Sequence, residues 1–240
     1  MDNEASNYGT LYLIPTTLGD TEPLEVLPLT IKRTVEEIDH YIVENEKSAR
    51  RFIKKITPRK SQAQLELYLL NKYTEPEVLP EYLQPCLQGQ DVGVLSEAGC
   101  PGVADPGAVI VRLAHEKGIQ VVPLVGPSSI ILALMASGLN GQNFAFNGYL
   151  PIEVQERKKL LKGLEKKSRE LGQTQLFMET PYRNDKLFAE LIRTLRPDTL
   201  LCIAVDLTLK TEWIRTNTIS QWIGKTPDLH KRPAIYAILG

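Results

Sequence analysis

Residues 92–107 read VGVLSEAGCPGVADPG, and the order of the parts decides the fold. A short apolar run (Val92, Val94, Leu95) stops at a loop holding Gly99, Pro101, Gly102, Pro106 and Gly107. A helical pattern (Val109, Ile110, Leu113, Ala114) follows at once. Strand, glycine–proline loop and helix in that order is how the carboxyl end of a parallel sheet opens a ligand crevice. The glycines let backbone approach a ligand closely, and the prolines hold the loop in one shape, so little entropy is lost on binding. A plain connection needs fewer such residues. The stretch reads as a ligand loop.

Working outward, strand-like runs alternate with helix-like ones. Residues 11–15 (LYLIP) predict a strand, followed by a loop with Gly19 and Pro23. Thr30 is placed to cap a helix running towards Ile38, and residues 41–43 predict a second strand. Ala49, Phe52, Ile53 and Ile56 recur at helical spacing, with Arg50, Arg51, Lys54 and Lys55 outside that stripe. Leu65, Leu69 and Leu70 predict another helix, and residues 82–87 a short one. Residues 121–124 predict a strand closed by Val125-Gly126-Pro127. Ser128 or Ser129 caps a helix over 130–137, which Gly138 ends.

A second series follows, with strands at 144–149, 175–179, 200–205 and 234–239 and a hairpin arm near 213–215. Its helices fall at 155–171, 185–195 and 219–223. Two consecutive series predict an α/β protein of two α/β/α lobes, residues 1–123 and 124–240, with no clean linker between them.

Composition narrows the class. The 240 residues are 42% hydrophobic and 24% charged, ordinary for a soluble globular chain. With 28 basic against 29 acidic residues the net charge is -1, so no global field draws the chain to nucleic acid. Cys86, Cys100 and Cys202 are odd in number and lack metal-type spacing, which fits a reducing cytosolic setting. The start, MDNEASNYGT, lacks the basic and apolar segments of a signal peptide. No apolar stretch approaches the ~20 residues that span a bilayer. The expectation is a cytoplasmic protein without a membrane role.

Several motifs fail. No G-x-G-x-x-G follows a strand. Gly224-Lys225-Thr226 resembles the end of a phosphate loop, but Ile219 stands where its first glycine belongs and Pro227 follows. His40, His115 and His230 lie far apart, without metal or triad context, so no metal site is expected. Ser128-Ser129 has no nucleophile elbow around it. The basic segments 50–60 and 157–169 sit on amphipathic helical patterns and read first as solvated faces. Nucleic-acid contact requires both to face one cleft.

Four glycine- or proline-marked segments remain, each after an apolar run: PTTLGD (15–20), 96–107, GPSS (126–129) and ETPYR (179–183). They offer many backbone donors and acceptors with few charges, namely Glu97, Asp105, Glu179 and Arg183. That mix suits a zwitterionic or cationic ligand with a nucleoside part better than a polyphosphate. Together with GTLYLIPTTLG (9–19), VPLVGPSSIILALMASGL (122–139) and FNGYLP (146–151), these motifs resemble the tetrapyrrole-methylase-like, or class III, S-adenosylmethionine-dependent methyltransferases. Within that class the chain is most similar to the ribosomal RNA small subunit methyltransferase I family, which methylates a cytidine 2′-hydroxyl.

The resemblance implies the tetrapyrrole methylase fold, with S-adenosylmethionine held in a cleft between the lobes. The N-terminal lobe would supply the acceptor side and the C-terminal lobe would complete the cofactor site. Implied cofactor contacts are Pro15, then Ser96, Ala98, Gly99, Val103, Ala104 and Asp105 of the principal loop. Ser128 and Ser129 would lie beside the methionine or ribose, with Met178, Thr180, Pro233 and Ala234 flanking the adenine. Glu179, Glu97 and Asp105 are candidate bases, and Arg183 is a candidate for an acceptor phosphate, each paired with a plainer role: Asp105 as a cap, Arg183 as a partner of Glu179. The implied partner is RNA of the small ribosomal subunit, and the implied assembly a homodimer. A small-molecule, tetrapyrrole-type methylase and a non-catalytic S-adenosylmethionine-binding module stay open beside it. The family's PTPIGN, SDAGTP and EDTR segments read PTTLGD, SEAGCP and ENEK (44–47) in this chain.

Overall fold

The alternation of buried and half-buried positions along short strands builds two separate sheets. The computed structural model describes residues 8–240; residues 1–7, which carry most of the polar start, lie outside them. The chain divides after Pro127 into two compact units.

The first unit holds β1 (Leu11–Ile14), α1 (Pro23–Val26), α2 (Leu29–Glu37), β2 (His40–Val43) and α3 (Glu46–Ile56). It continues with β3 (Glu66–Leu69), α4 (Gln84–Leu87), β4 (Val92–Leu95), α5 (Ala108–Glu116) and β5 (Val121–Pro123). The strands lie in the order β3-β2-β4-β1-β5, and every pair is parallel. Period-two alternation sends Ile14, Tyr41, Val43 and Leu95 to one face, where Ile31, Val35 and Ile53 of α2 and α3 cover them. Leu11, Ile42, Val92 and Val94 face the other way, against Leu83, Ile110 and Ala114. A parallel sheet covered on both faces is the expected solution for strands this apolar.

Two expectations fail here. Residues 66–69 form a strand beside β2, with His40 opposite Glu66 and Val43 opposite Leu69. Three leucines at this spacing suit a helix or a strand in so short a run; the open edge of β2 decides, and Tyr68 stacks on His40 at 6.3 Å. Thr30 does not cap α2. That helix begins at Leu29, and Pro28, at φ -60, sets the entry with no side-chain cap.

The second unit contains α6 (Ser129–Ser137), β6 (Phe144–Tyr149), α7 (Val154–Leu171), β7 (Thr174–Met178) and α8 (Asn184–Thr194). It ends with β8 (Leu200–Val205), β9 (Trp213–Thr218), α9 (Ile219–Trp222) and β10 (Ala234–Leu239). The sheet order is β6-β7-β10-β8-β9. Only β6 and β7 run parallel; the other pairs are antiparallel. Leu161, Leu164, Leu187, Leu191 and Trp222 from α7 to α9 pack on Phe177, Ile203 and Tyr236. On the opposite face, α6 is tied to β9 by the Thr216 hydroxyl, which donates to the Ser137 carbonyl at 2.7 Å. Gly138 ends α6 in the left-handed region, at φ 69. Each unit is thus an α/β/α-like lobe. Among the described residues no helix is long and apolar enough to cross a membrane.

Candidate functional site

Parallel pairing of β1 with β4 aligns Ile14 with Leu95, so the loops that follow both strands leave one edge side by side. Thr16 N–H donates to the Gly99 carbonyl at 2.9 Å and its hydroxyl to the Ser96 carbonyl at 3.2 Å. The Ser96 hydroxyl donates to the same Gly99 carbonyl at 2.7 Å. The loop then turns through three left-handed residues, Gly99 (φ 78), Gly102 (φ 79) and Ala104 (φ 61). Ala104 has a Cβ and holds this conformation under strain, as residues near functional sites often do. The Asp105 carboxylate accepts from Gly102 N–H at 2.7 Å and Gly107 N–H at 2.8 Å. Burial raises its carboxyl above the ordinary range, and the two amides offset part of that. Pro15, Ser96 and Gly99 are buried on this rim, while Ala98, Val103 and Ala104 are exposed.

Beside the rim lies a cavity of about 320 Å³ in the same lobe. Its walls are residues 16–21 after β1, Ser96 and Glu97 after β4, and one face of α3. That face presents Ser48, Arg51, Phe52 and Lys55, spaced one turn apart. The Ser48 hydroxyl donates to Glu97 Oε1 at 2.5 Å. Lys55 is held by Asp20 at 3.1 Å and by the Thr21 carbonyl at 2.9 Å. Arg51 makes no ion pair among the described residues. Asn45 starts α3 by accepting from Lys47 N–H and Ser48 N–H, so the ENEK segment serves as a helix cap. Glu97 N–H donates to Glu44 at 3.4 Å. Burial raises the Glu44 carboxyl, the Glu97 amide lowers it, and the charges of Asp105 and Glu97 raise it again.

From sequence, Arg51 and Lys55 read as part of a solvated basic face and Phe52 as part of the core stripe, and the cavity was missed. The available signal was the recurrence of Ser48, Arg51 and Lys55 beside Phe52, at the edge of the core stripe.

The remaining candidates fall in the second lobe. Antiparallel pairing puts Ile235 opposite Met178, which brings residues 178–180 alongside Pro233 and Ala234 at one sheet edge. Glu179 is buried, and its Oε1 accepts from Thr180 N–H at 2.7 Å and from Arg183 Nε at 2.9 Å. A second nitrogen of Arg183 reaches the same oxygen. The two expected catalytic residues of this lobe therefore engage each other. Ser128 Oγ accepts from Ile131 N–H at 3.5 Å as the cap of α6, and Ser129 is its first residue. Of the four residues expected to act on the acceptor, Glu97, Asp105, Glu179 and Arg183, only Glu97 lines the cavity of the first lobe. Among the described residues no cluster of three or more histidines, cysteines or acids could hold a metal ion.

Comparison with known proteins places this geometry. The family model described as Tetrapyrrole (Corrin/Porphyrin) Methylases matches residues 10–222. Ribosomal RNA small subunit methyltransferase I of Bacillus subtilis (strain 168) is 31% identical over 222 residues, 92% of this chain and 72% of the relative. The protein of that name from Buchnera aphidicola subsp. Schizaphis graminum is 28% identical over 240 residues, 99% of this chain and 80% of its own length. Among solved structures, the methyltransferase CobJ superposes with a TM-score of 0.64 at 15% identity, over 97% of this chain and 94% of CobJ. Uroporphyrin-III-C-methyltransferase from Thermus thermophilus does so with a TM-score of 0.56 at 19% identity, over 96% and 94%. At these identities the structural likeness bears on the fold.

Proposed function

Because the chain belongs to the tetrapyrrole (corrin/porphyrin) methylase family, and is an S-adenosylmethionine-dependent methyltransferase, we propose that it methylates a cytidine 2′-hydroxyl in small-subunit ribosomal RNA. The observation that carries this reading is the likeness, over nearly the whole chain, to proteins named ribosomal RNA small subunit methyltransferase I.

The residues fit the cofactor. Residues 96–107 contain no lysine or arginine, so nothing basic in that loop opposes a sulfonium. Its half-buried carboxylate, Asp105, is committed to two amides of the loop itself. Ser96, Gly99 and Ala104 would present backbone to the cofactor. S-adenosylmethionine, when bound, supplies an electrophilic methyl whose thioether leaves without acid assistance.

The chain's own contribution is alignment, exclusion of water and removal of one proton. Glu97 is the carboxylate suited to the proton: it is exposed at the cavity wall and engaged only by Ser48 and its own amide contact to Glu44. Glu179, closed onto Arg183 and Thr180, holds the edge of the second lobe.

Calorimetric titration with S-adenosylhomocysteine tests the cofactor assignment, which an absence of binding at millimolar ligand rejects. Transfer of tritiated methyl to undermodified small ribosomal subunits tests the acceptor. Glu97→Gln is expected to lower kcat by about 10²–10⁴-fold with S-adenosylhomocysteine binding unchanged. No label on RNA from the unaltered enzyme overturns the acceptor.

A further inference from the structure

We infer that the cavity of the first lobe is the seat of a single unstacked nucleotide, with Phe52 as the platform for its base and Arg51 as the anchor for its phosphate. The inference rests on the ribosomal RNA reading and adds which residues select the acceptor. At about 320 Å³ the cavity lies at the small end of ligand sites, which run from roughly 300 to 1,000 Å³. One nucleotide fills such a volume; a four-ring macrocycle exceeds it.

The wall chemistry fits a nucleotide part by part. Phe52 is half-buried: one side packs with the core of the first lobe and the ring also lines the cavity. Single-stranded RNA is held by stacking of this kind, because splayed bases offer an aromatic face whatever their sequence. Arg51, one residue before it, is exposed and free of carboxylate partners among the described residues. An unpaired guanidinium at a cavity mouth is suited to a phosphate, which it can grip through two parallel hydrogen bonds. Lys55, in contrast, is neutralised by Asp20 and Glu22, so the free positive charge of this face belongs to Arg51. Glu97 reaches the cavity from the carboxyl end of β4, its carboxylate held against α3 by the Ser48 hydroxyl, one turn from Arg51 and Phe52, where a ribose hydroxyl between base and phosphate would meet it. A helix that reads in sequence as a solvated basic face thus becomes the acceptor wall.

The test uses the full chain, saturated with S-adenosylhomocysteine for anisotropy on a fluorescein-labelled octamer of oligocytidylate, and supplied instead with S-adenosylmethionine for kinetics on undermodified small ribosomal subunits. Arg51→Ala and Phe52→Leu are expected to weaken octamer binding by about tenfold each and to raise KM for subunits, with kcat little changed. Arg51→Ala should also flatten the salt dependence of binding by about one counterion. Arg51→Lys should restore part of the loss. Unchanged S-adenosylhomocysteine affinity certifies that the variants are folded, and Lys159→Ala, on α7, is the comparison for loss of an unrelated surface charge. If the unaltered enzyme binds or methylates RNA and the two variants match it in both affinity and KM, the cavity does not seat the acceptor, although the ribosomal RNA reading survives. If the unaltered enzyme binds S-adenosylhomocysteine but neither binds the octamer nor methylates subunits, the RNA reading falls and this occupant falls with it.

Discussion

The lobe ending at Pro127 leaves its described acids exposed or half-buried, whereas the lobe beginning at Ser128 sinks four of its own. Among the described residues, the buried acids are Glu165, Glu179, Glu190 and Asp206, all in the second lobe, with Arg157 buried beside Glu190. The buried polar residues of the first, Thr16, Thr57 and Ser96, are neutral, and its covered Lys60 side chain is a base paired with Asp39. Each sunken acid has fixed partners: Glu165 accepts from Arg196 N–H and Thr199, Glu190 from Arg157, and Asp206 from Thr211 and Arg232. The topologies account for the difference. A parallel sheet sends every strand's carboxyl end to one edge, so the loops after β1, β2 and β4 gather there and need glycine and proline to pass closely. An antiparallel sheet returns the chain across the same edge, and ion pairs close it. A carboxylate left free for chemistry therefore belongs to the first lobe, and stability bound up in charge belongs to the second.

The largest effect should come from breaking the charge arrangement of the second lobe. Arg157 donates through Nε to Glu190 at 2.8 Å and through Nη1 to the carbonyls of Pro151 and Ile152. Arg157→Met strands a buried carboxylate and should cost about 3–5 kcal/mol in denaturant unfolding. Adding Glu190→Leu should restore most of it, because the pair together is replaceable by apolar volume. A single variant that loses under ~1 kcal/mol would mean that the buried ions are not what holds this lobe.

Next in size is one substitution made in both lobes. A Cβ on Gly126 would lie 2.2 Å from the Cβ of Pro15, which packs the loop after β5 against the loop after β1. Gly126→Ala should cost about 1–3 kcal/mol through overpacking, and S-adenosylhomocysteine affinity should fall with it if the rim that moves is the proposed cofactor rim. Gly163 sits exposed within α7, where an added Cβ meets nothing within 4 Å. Gly163→Ala should therefore stabilise by roughly 0.5–1 kcal/mol, the helix-propensity gain. Equal effects at the two positions would remove the claim that close backbone approach is confined to the parallel lobe.

How far the sequence foretold this division varies by feature. The loop at 92–107 was legible because its glycines and prolines sit between a strand and a helix, and local sterics alone assign them. β6, β8 and β10 were legible to the residue, as compact apolar runs bounded by turns. The hairpin arm read near 213–215 implied the antiparallel return of β9 on β8, across a connection over residues 206–212 too short for a parallel crossover; the direction of β10 was not inferred. β3 was misread because leucine is at home in either element and the edge of β2 made the choice. The cavity wall was missed for a different reason. Hydrophobic periodicity sorts α3 into a core stripe and a polar remainder, but which part of the remainder another segment covers depends on where residues 16–21 and Glu97 come to lie. The engagement of Glu179 with Arg183 was one of two readings on the page, and i,i+4 spacing after a strand favours it.

The smallest effect gives the most direct comparison of sign. The Glu44 carboxyl stands above its ordinary range because it is half-buried, and because Asp105 and Glu97 add like charge. A carboxyl raised on folding holds its proton more tightly in the folded chain. Its contribution to stability is complete below the unfolded value of about 4.3 and is lost as pH rises through the folded one. At neutral pH the charge is a liability, and glutamine keeps an oxygen for the Glu97 amide. Glu44→Gln should raise the melting temperature at pH 7, and the gain should shrink to nothing as pH falls through 4. Glu165→Gln in the second lobe should do the reverse at pH 7, because that carboxylate is bonded by Arg196 N–H and the Thr199 hydroxyl and charge-assisted bonds weaken when the charge is removed. Opposite signs from the same chemical change would separate a carboxylate raised by burial and like charge in the parallel lobe from one held by donors in the antiparallel lobe; equal signs would leave the two lobes alike in their use of charge.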